Sequence, residues 1–301
     1  GSDAASSTTT NLTTDTDTLT GSGNADTYKG SIVYSAAGTT TPQSGSTFTV
    51  DDTIDGAVGS DTLALTISGV LDGGAVGIPA ADTSNIESLE VRTVASEATN
   101  GTDYVQVDAS NFSGLTSFTN DRSTGTIDLN NLPTGATYIH KGNGTVTMGD
   151  TTTVDYSTAT DAVNITLDGG IVAGAASDIT NSGSATTATV KSTGAANKID
   201  ILALASGNNT ITSLTIDATT AASFGAGNAN DQAAITGLAA DSTITITGAG
   251  AVDIETVDAD VDVIDASGNS GGLQVALSSN TATVTTGSSA ADIITSGATF
   301  T

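Results

Sequence analysis

The sequence predicts an all-β chain, an elongated parallel β-solenoid of the β-helix or β-roll kind, with short strands joined by Gly, Asp and Asn turns. Three observations predict it. Apolar residues alternate with Thr and Ala at Leu63, Leu65 and Ile67, which is the period of a half-buried strand. In the C-terminal half, strand centres at Ile244, Ile254, Val263, Val275, Val284 and Ile293 lie 10, 9, 12, 9 and 9 residues apart. A nine-residue unit recurs with the same turn chemistry. Strands this short suit a β-sandwich as well as a solenoid. The recurring unit, and ladders of Thr, Val and Ile with few aromatics, favour the solenoid.

The unit is clearest in Asp52-Thr-Ile54 and Asp61-Thr-Leu63, where Asp-Thr-apolar occurs twice, nine residues apart. Asp17-Thr-Leu19 and Asp26-Thr-Tyr28 form an earlier pair, and Gly287 to Ile294 a partial third copy carrying Asp292. In each, a glycine (Gly21, Gly56 or Gly287) stands five residues before the later Asp. Glycine reaches positive φ without steric cost and Asn24 tolerates it, so the turn is tight. The carboxylate then projects into the turn, where main-chain carbonyls and a neighbouring carboxylate complete the roughly six to eight oxygen ligands that calcium prefers. On this reading Asp17, Asp26, Asp52, Asp61 and Asp292 lie near Ca2+, with Leu19, Tyr28, Ile54, Leu63 and Ile294 inside. The other reading of the same residues is that Asp-Thr and Gly make ordinary surface turns, since each locus holds two units at most.

In chain order, residues 1–13 are rich in Ser and Thr with a lone Leu12, and are expected to form a flexible lead-in. Residues 14–96 carry the nonapeptides and form an N-terminal β region, interrupted by a loop from Ala36 to Thr47 around Pro42. Residues 97–301 form a C-terminal solenoid region with irregular coils. It is marked by Val107-Asp-Ala-Ser110, its echoes from Ile216 and Ile264, and Gly-Leu starts at Gly114, Gly237 and Gly272. Helical periodicity is weak and confined to Asn230–Ala239, where a turn or two is expected.

The 301 residues include 33 acidic and 6 basic ones, for a net charge of -27, with 3% aromatics and no Cys or Trp. Such a field repels nucleic acid and anionic membrane, excludes both as direct partners, and attracts divalent cations. Without counter-ions it also opposes compaction. The lack of Cys rules out a disulfide framework. No stretch reaches the roughly 20 apolar residues of a membrane span.

Asn85-Ile-Glu-Ser-Leu-Glu-Val91, the Asp-Ala-Ser phrases with their following Gly-Leu, Thr283 to Asp292 and the nonapeptides resemble two related groups. These are the calcium-dependent surface-layer (S-layer) proteins of Gram-negative bacteria and the RTX-like repeat proteins exported by type I secretion. The resemblance extends from about Asp15 onward through short, low-complexity motifs. It implies a secreted, extracellular chain on the cell surface, calcium-dependent folding, and self-association into a lattice, sheath or filament. The family's nonapeptide, Gly-Gly-x-Gly-x-Asp-x-apolar, maps its carboxylate onto Asp26 and Asp61. Gly21, Gly23 and Asn24 then take the turn positions of the first copy; in the second, Gly56 is in place and Gly59 is shifted by one residue.

Catalysis is not expected. His140, the single histidine, reads as a strand-surface residue in Thr137–Lys141, and Glu87 and Glu90 as flanks of an apolar run. A glycan-cleaving solenoid would need clustered carboxylates beside Arg92 or Arg122 and aromatic platforms for sugar. The six basic residues are scattered singly and read as solvated. The structural reading is therefore a self-assembling surface subunit. The alternative is an adhesin or biofilm segment that binds a glycan, such as a cell-surface polysaccharide, or a host surface.

Overall fold

The structure, a computed structural model, describes residues 6–35, 40–72, 74–97, 102–149, 151–156, 162–172, 178–181, 185–205, 209–225, 233–278, 283–287 and 291–296. The chain forms two compact units, residues 1–136 and 137–301. Residues 97–136, expected with the C-terminal region, thus belong to the first unit.

The strands of the first unit are β1 (Thr9–Asn11), β2 (Thr18–Thr20), β3 (Thr27–Tyr34), β4 (Thr53–Asp55), β5 (Thr62–Leu71), β6 (Ala75–Gly77), β7 (Asp82–Ser84), β8 (Ser88–Thr93), β9 (Ser96–Glu97), β10 (Tyr104–Asp108), β11 (Ser117–Asp121) and β12 (Ile127–Leu132). They stack in three parallel sheets, ordered β1-β3-β5-β8-β11 with β9 also on β5, β2-β4-β7 and β6-β10-β12. Thr9, Thr27, Thr62, Ser88 and Ser117 stand in one in-register column, so successive coils are 18, 35, 26 and 29 residues long. This is a parallel β-solenoid with irregular coils. Thr9–Asn11, expected in the flexible lead-in, pairs with β3 instead, and Leu12 is buried.

In the second unit the strands are β13 (Thr137–Lys141), β14 (Thr151–Tyr156), β15 (Ala162–Asp168), β16 (Ile179–Asn181), β17 (Thr187–Thr193), β18 (Asn197–Ile199), β19 (Leu202–Ala203), β20 (Ile211–Ala218), β21 (Ala222–Phe224), β22 (Ile235–Thr236), β23 (Leu238–Gly248), β24 (Val252–Val257), β25 (Val261–Asn269), β26 (Leu273–Leu277), β27 (Thr283–Thr285) and β28 (Ile293–Ser296). One parallel sheet runs β13-β15-β17-β20-β23-β25-β27. The other runs β14-β16-β19-β22-β24-β21-β18, with β26 on β24 and β28 on β26. The column Tyr138, Ile165, Val190, Ile216, Ile246 is buried throughout and gives coils of 27, 25, 26 and 30 residues. The turn or two of helix expected over Asn230–Ala239 is replaced, in its described part, by β22 and the start of β23. Residues 230–232 lie outside the described residues.

Period-two alternation places the core. Tyr28, Ile54, Leu63, Leu65 and Ile67 are buried, as expected. Leu19 is only half-buried. Ile294 is 45% exposed, contrary to its expected inward place, and Ile293, expected as a strand centre, is 54% exposed; β28 pairs with β26 alone among the described strands.

His140 also departs from expectation. It is fully buried, because it shares the inward face of β13 with Tyr138, two residues earlier, and stands beside Leu167 of β15. Its Nδ1 shares a 2.9 Å hydrogen bond with Tyr138 Oη, while Nε2 has no partner among the described residues. Burial pushes its pKa down to about 3.

Candidate metal centre at the aspartate-bearing turns

In a parallel ladder, main-chain N–H groups inside a strand find carbonyls on the neighbouring coil. Just before a strand an N–H that finds no such carbonyl needs another acceptor if it is shielded from water. The acidic residue at that position supplies it. Asp26 Oδ1 accepts Thr8 N–H at 2.6 Å, Asp61 Oδ1 accepts Asp26 N–H at 2.6 Å, and Glu87 Oε2 accepts Asp61 N–H at 2.7 Å. These residues precede β3, β5 and β8, each one coil beyond its donor. Asp52 Oδ1 accepts Asp17 N–H at 2.9 Å, Asp103 Oδ1 accepts Gly74 N–H at 2.7 Å, and in the second unit Asp292 Oδ1 accepts Leu273 N–H at 2.8 Å.

The two nonapeptide pairs therefore lie on one another. Asp26 stacks with Asp61, Asp17 with Asp52, and Gly21 with Gly56 and then Asn85. The glycines are required by this approach: a Cβ on Gly21 would stand 2.2 Å from Gly56 O, and one on Gly56 would stand 2.0 Å from Asn85 O. Asn24 and Gly59 meet the same way, a Cβ on Gly59 falling 2.5 Å from Asn24 O. Gly23 has open space around it. Gly287 packs against Asn269 O, where its Cβ would stand 1.9 Å away; residues 288–290 of that copy lie outside the described residues.

Most of these carboxylates already have donors. Asp26 also takes Thr8 Oγ1–H on Oδ1 and Ser22 N–H on Oδ2, and these bonds, the Ser22 N–H foremost, hold its pKa down to about 2. Asp52 Oδ2 takes Thr49 N–H, and Asp17 takes the Thr13 N–H and hydroxyl. Asp55 takes Asn85 Nδ2–H and Ala57 N–H, which lower its pKa.

Asp61 differs. It is fully buried, and among the described residues its Oδ2 has no hydrogen-bond partner. Burial pushes its carboxyl above the usual range, and the charges of Glu87, Asp26 and Asp55 push it further against the opposing Asp26 N–H bond. The orphan oxygen faces Gly56, whose Cβ would stand 2.8 Å from it and 2.0 Å from Asn85 O. A buried carboxylate oxygen and a main-chain carbonyl against a residue without a side chain are hard oxygen donors of the type calcium takes. Among the described residues no three His, Cys, Asp or Glu side chains are grouped to hold a metal ion. The donor set at Asp61 fits an ion completed by main-chain carbonyls and water; the sets at Asp17, Asp26, Asp52 and Asp292 serve as main-chain caps.

Sequence reasoning missed Thr8, Ser22, Asp55, Asn85 and Asp103 as partners in these turns. For Glu87 the signal was present, since Glu87-Ser88 repeats the acid-hydroxyl pattern of Asp26-Thr27 and Asp61-Thr62. Two buried asparagines do comparable work in the second unit. Asn197 Oδ1 accepts Gly170 and Ile171 N–H, while its Nδ2 donates to Leu167 O, Ser192 Oγ and Thr193 O. Asn269 Nδ2 donates to Gly248 and Gly250 O, and its Oδ1 accepts Gly271 and Gly272 N–H.

The fold and these turns define a parallel β-solenoid whose coils are clasped by carboxylate and amide side chains. In comparisons with known proteins, no family model, no curated protein and no solved structure matches the chain.

Proposed function

We propose that the chain is a structural, non-catalytic surface protein, a subunit of an S-layer, sheath or filament, whose folding and self-association depend on calcium outside the cell. One observation supports this above the rest: the buried, unpartnered Oδ2 of Asp61 within a column of acidic caps, in a chain of net charge -27. Burying an uncompensated carboxylate is costly, and a cation there would offset both the desolvation and the repulsion from Glu87, Asp26 and Asp55. Asp61 would hold the ion with main-chain oxygens of the stacked turns. Extracellular calcium modules work at affinities of about 10⁻⁴ to 10⁻³ M, so such a chain would stay open in a low-calcium interior and close outside. Strand edges left by parallel coils suit assembly. The non-catalytic reading has support in the burial of His140 in the core.

The test is circular dichroism with light scattering on chelated protein, titrated with calcium and separately with magnesium, beside Asp61→Asn. A calcium-selective gain of β signal and of particle size, both lost in the variant, is expected. A folded monomer indifferent to both ions would remove calcium and assembly from the reading. A calcium-folded monomer that binds glycan would make the chain an adhesin.

A further inference from the structure

Three of the six basic residues, Lys29, Arg92 and Arg122, line one trough of about 310 Å³ on the outer face of the β3-β5-β8-β11 sheet. Side-chain size makes the trough. Strand β5 presents Ala64 and Thr66, both short, between Lys29 on β3 and Arg92 on β8; Thr66 and Arg92 are in register. Glu90 and Asp121 supply the acidic part of the wall. Arg122 is neutralised by Asp121 in a forked pair, with Nε donating to Oδ1 at 2.9 Å and a second N–H to Oδ2. Arg92 is not so placed. Its Nε is buried and, among the described residues, has no hydrogen-bond partner, an uncommon state for the strongest fork-shaped donor among the side chains. With Asp121 and Arg122 cancelling, Lys29 and Arg92 outweigh Glu90, so the trough is locally positive in a strongly negative chain.

We infer that this trough receives a carboxylate-bearing segment of a second copy of the chain. The inference deepens the self-associating reading above and rests on it. Charge complementarity names the partner: every copy carries 33 acidic residues, and exposed carboxylates such as Asp15 and Asp51 stand on its turns. A guanidinium whose Nε lacks a partner among the described residues suits a carboxylate. Among the described residues no aromatic side chain lines the trough, so they offer no stacking platform of the kind sugar recognition uses.

Sedimentation velocity on the full chain with calcium, over a range of concentration and salt, tests the inference on wild type, Arg92→Glu and Lys29→Glu. Lys29 is exposed, so its variant keeps the fold, which circular dichroism verifies. Each reversal is expected to weaken self-association at least tenfold, and wild-type association is expected to fall as salt rises. Wild type that assembles while both folded variants assemble equally well overturns the trough and leaves the assembling reading standing. Wild type that stays monomeric throughout overturns both.

Discussion

His140 offers the most direct quantitative test of the second unit's core. Its ring is fully buried beside Tyr138 and Leu167, and its pKa is pushed down to about 3 by burial. In the unfolded chain an imidazole titrates at about 6.5. Between those values the unfolded chain binds a proton that the folded chain does not, so stability rises with pH across the window. The contribution is fully present above pH 6.5 and is lost as pH falls toward 3. At pH 5, about 1.5 units below the unfolded value and at roughly 1.4 kcal/mol per unit, the loss is about 2 kcal/mol. The measurement is denaturant unfolding of wild type and His140→Leu at pH 7.5 and pH 5, at one calcium concentration. The wild type should lose about 2 kcal/mol more than the variant between the two pH values, whatever the variant's own stability. Equal losses would mean that the folded ring takes up a proton at pH 5, and the buried placement of His140 would be refuted.

Asp26 and Asp61 should act on stability with opposite pH dependence. Asp26, held at about 2, contributes stability present above the unfolded value of about 4 and lost as pH falls toward 2, and Asp26→Asn should flatten that limb of an acid unfolding curve. Asp61, raised, favours the fold when protonated, so its contribution fades as pH rises through the folded value; Asp61→Asn should then show at least the β signal of wild type at pH 7 without calcium, and a clear deficit there would contradict the orphan oxygen. Gly56→Ala places a Cβ 2.0 Å from Asn85 O and should cost at least about 1–3 kcal/mol in chemical denaturation; a neutral result would mean the turns do not stack. Ile216→Ala, in the buried column of the second unit, should cost about 2–5 kcal/mol, and a loss under about 1 kcal/mol would show that the column is not closely packed.

Much of the fold was legible because the side chains of a regular strand alternate between its two faces. Leu63, Leu65 and Ile67 declared one buried face by themselves, and the Asp-Thr-apolar phrase gave the start of a strand together with its first inward residue. The same rule contained the placement of His140, since Tyr138 two residues earlier claims the inward face. Polarity argued the other way, and the unmet Nε2 shows that the core accepts the ring at a cost. The exposed Ile294 has the opposite cause. Its pattern matches that of Leu63, but apolar spacing does not tell whether another coil covers it.

By itself, then, the sequence determined the class of fold, the strand periods and the residues of the turns, because these depend on contacts within a few positions of the chain. Which carboxylate meets which N–H was decided only by the tertiary structure. Coils of 18 to 35 residues bring Asp26 onto Asp61 and Asp61 onto Glu87, and no local signal carries that register. The stacking gives most of the expected ligands a main-chain N–H to cap and leaves Asp61 Oδ2, among the described residues, unpaired and buried beside them. It likewise gathered Lys29, Arg92 and Arg122, which stand far apart in the chain, into one trough, because parallel coils make neighbours of residues separated by a whole turn of the solenoid.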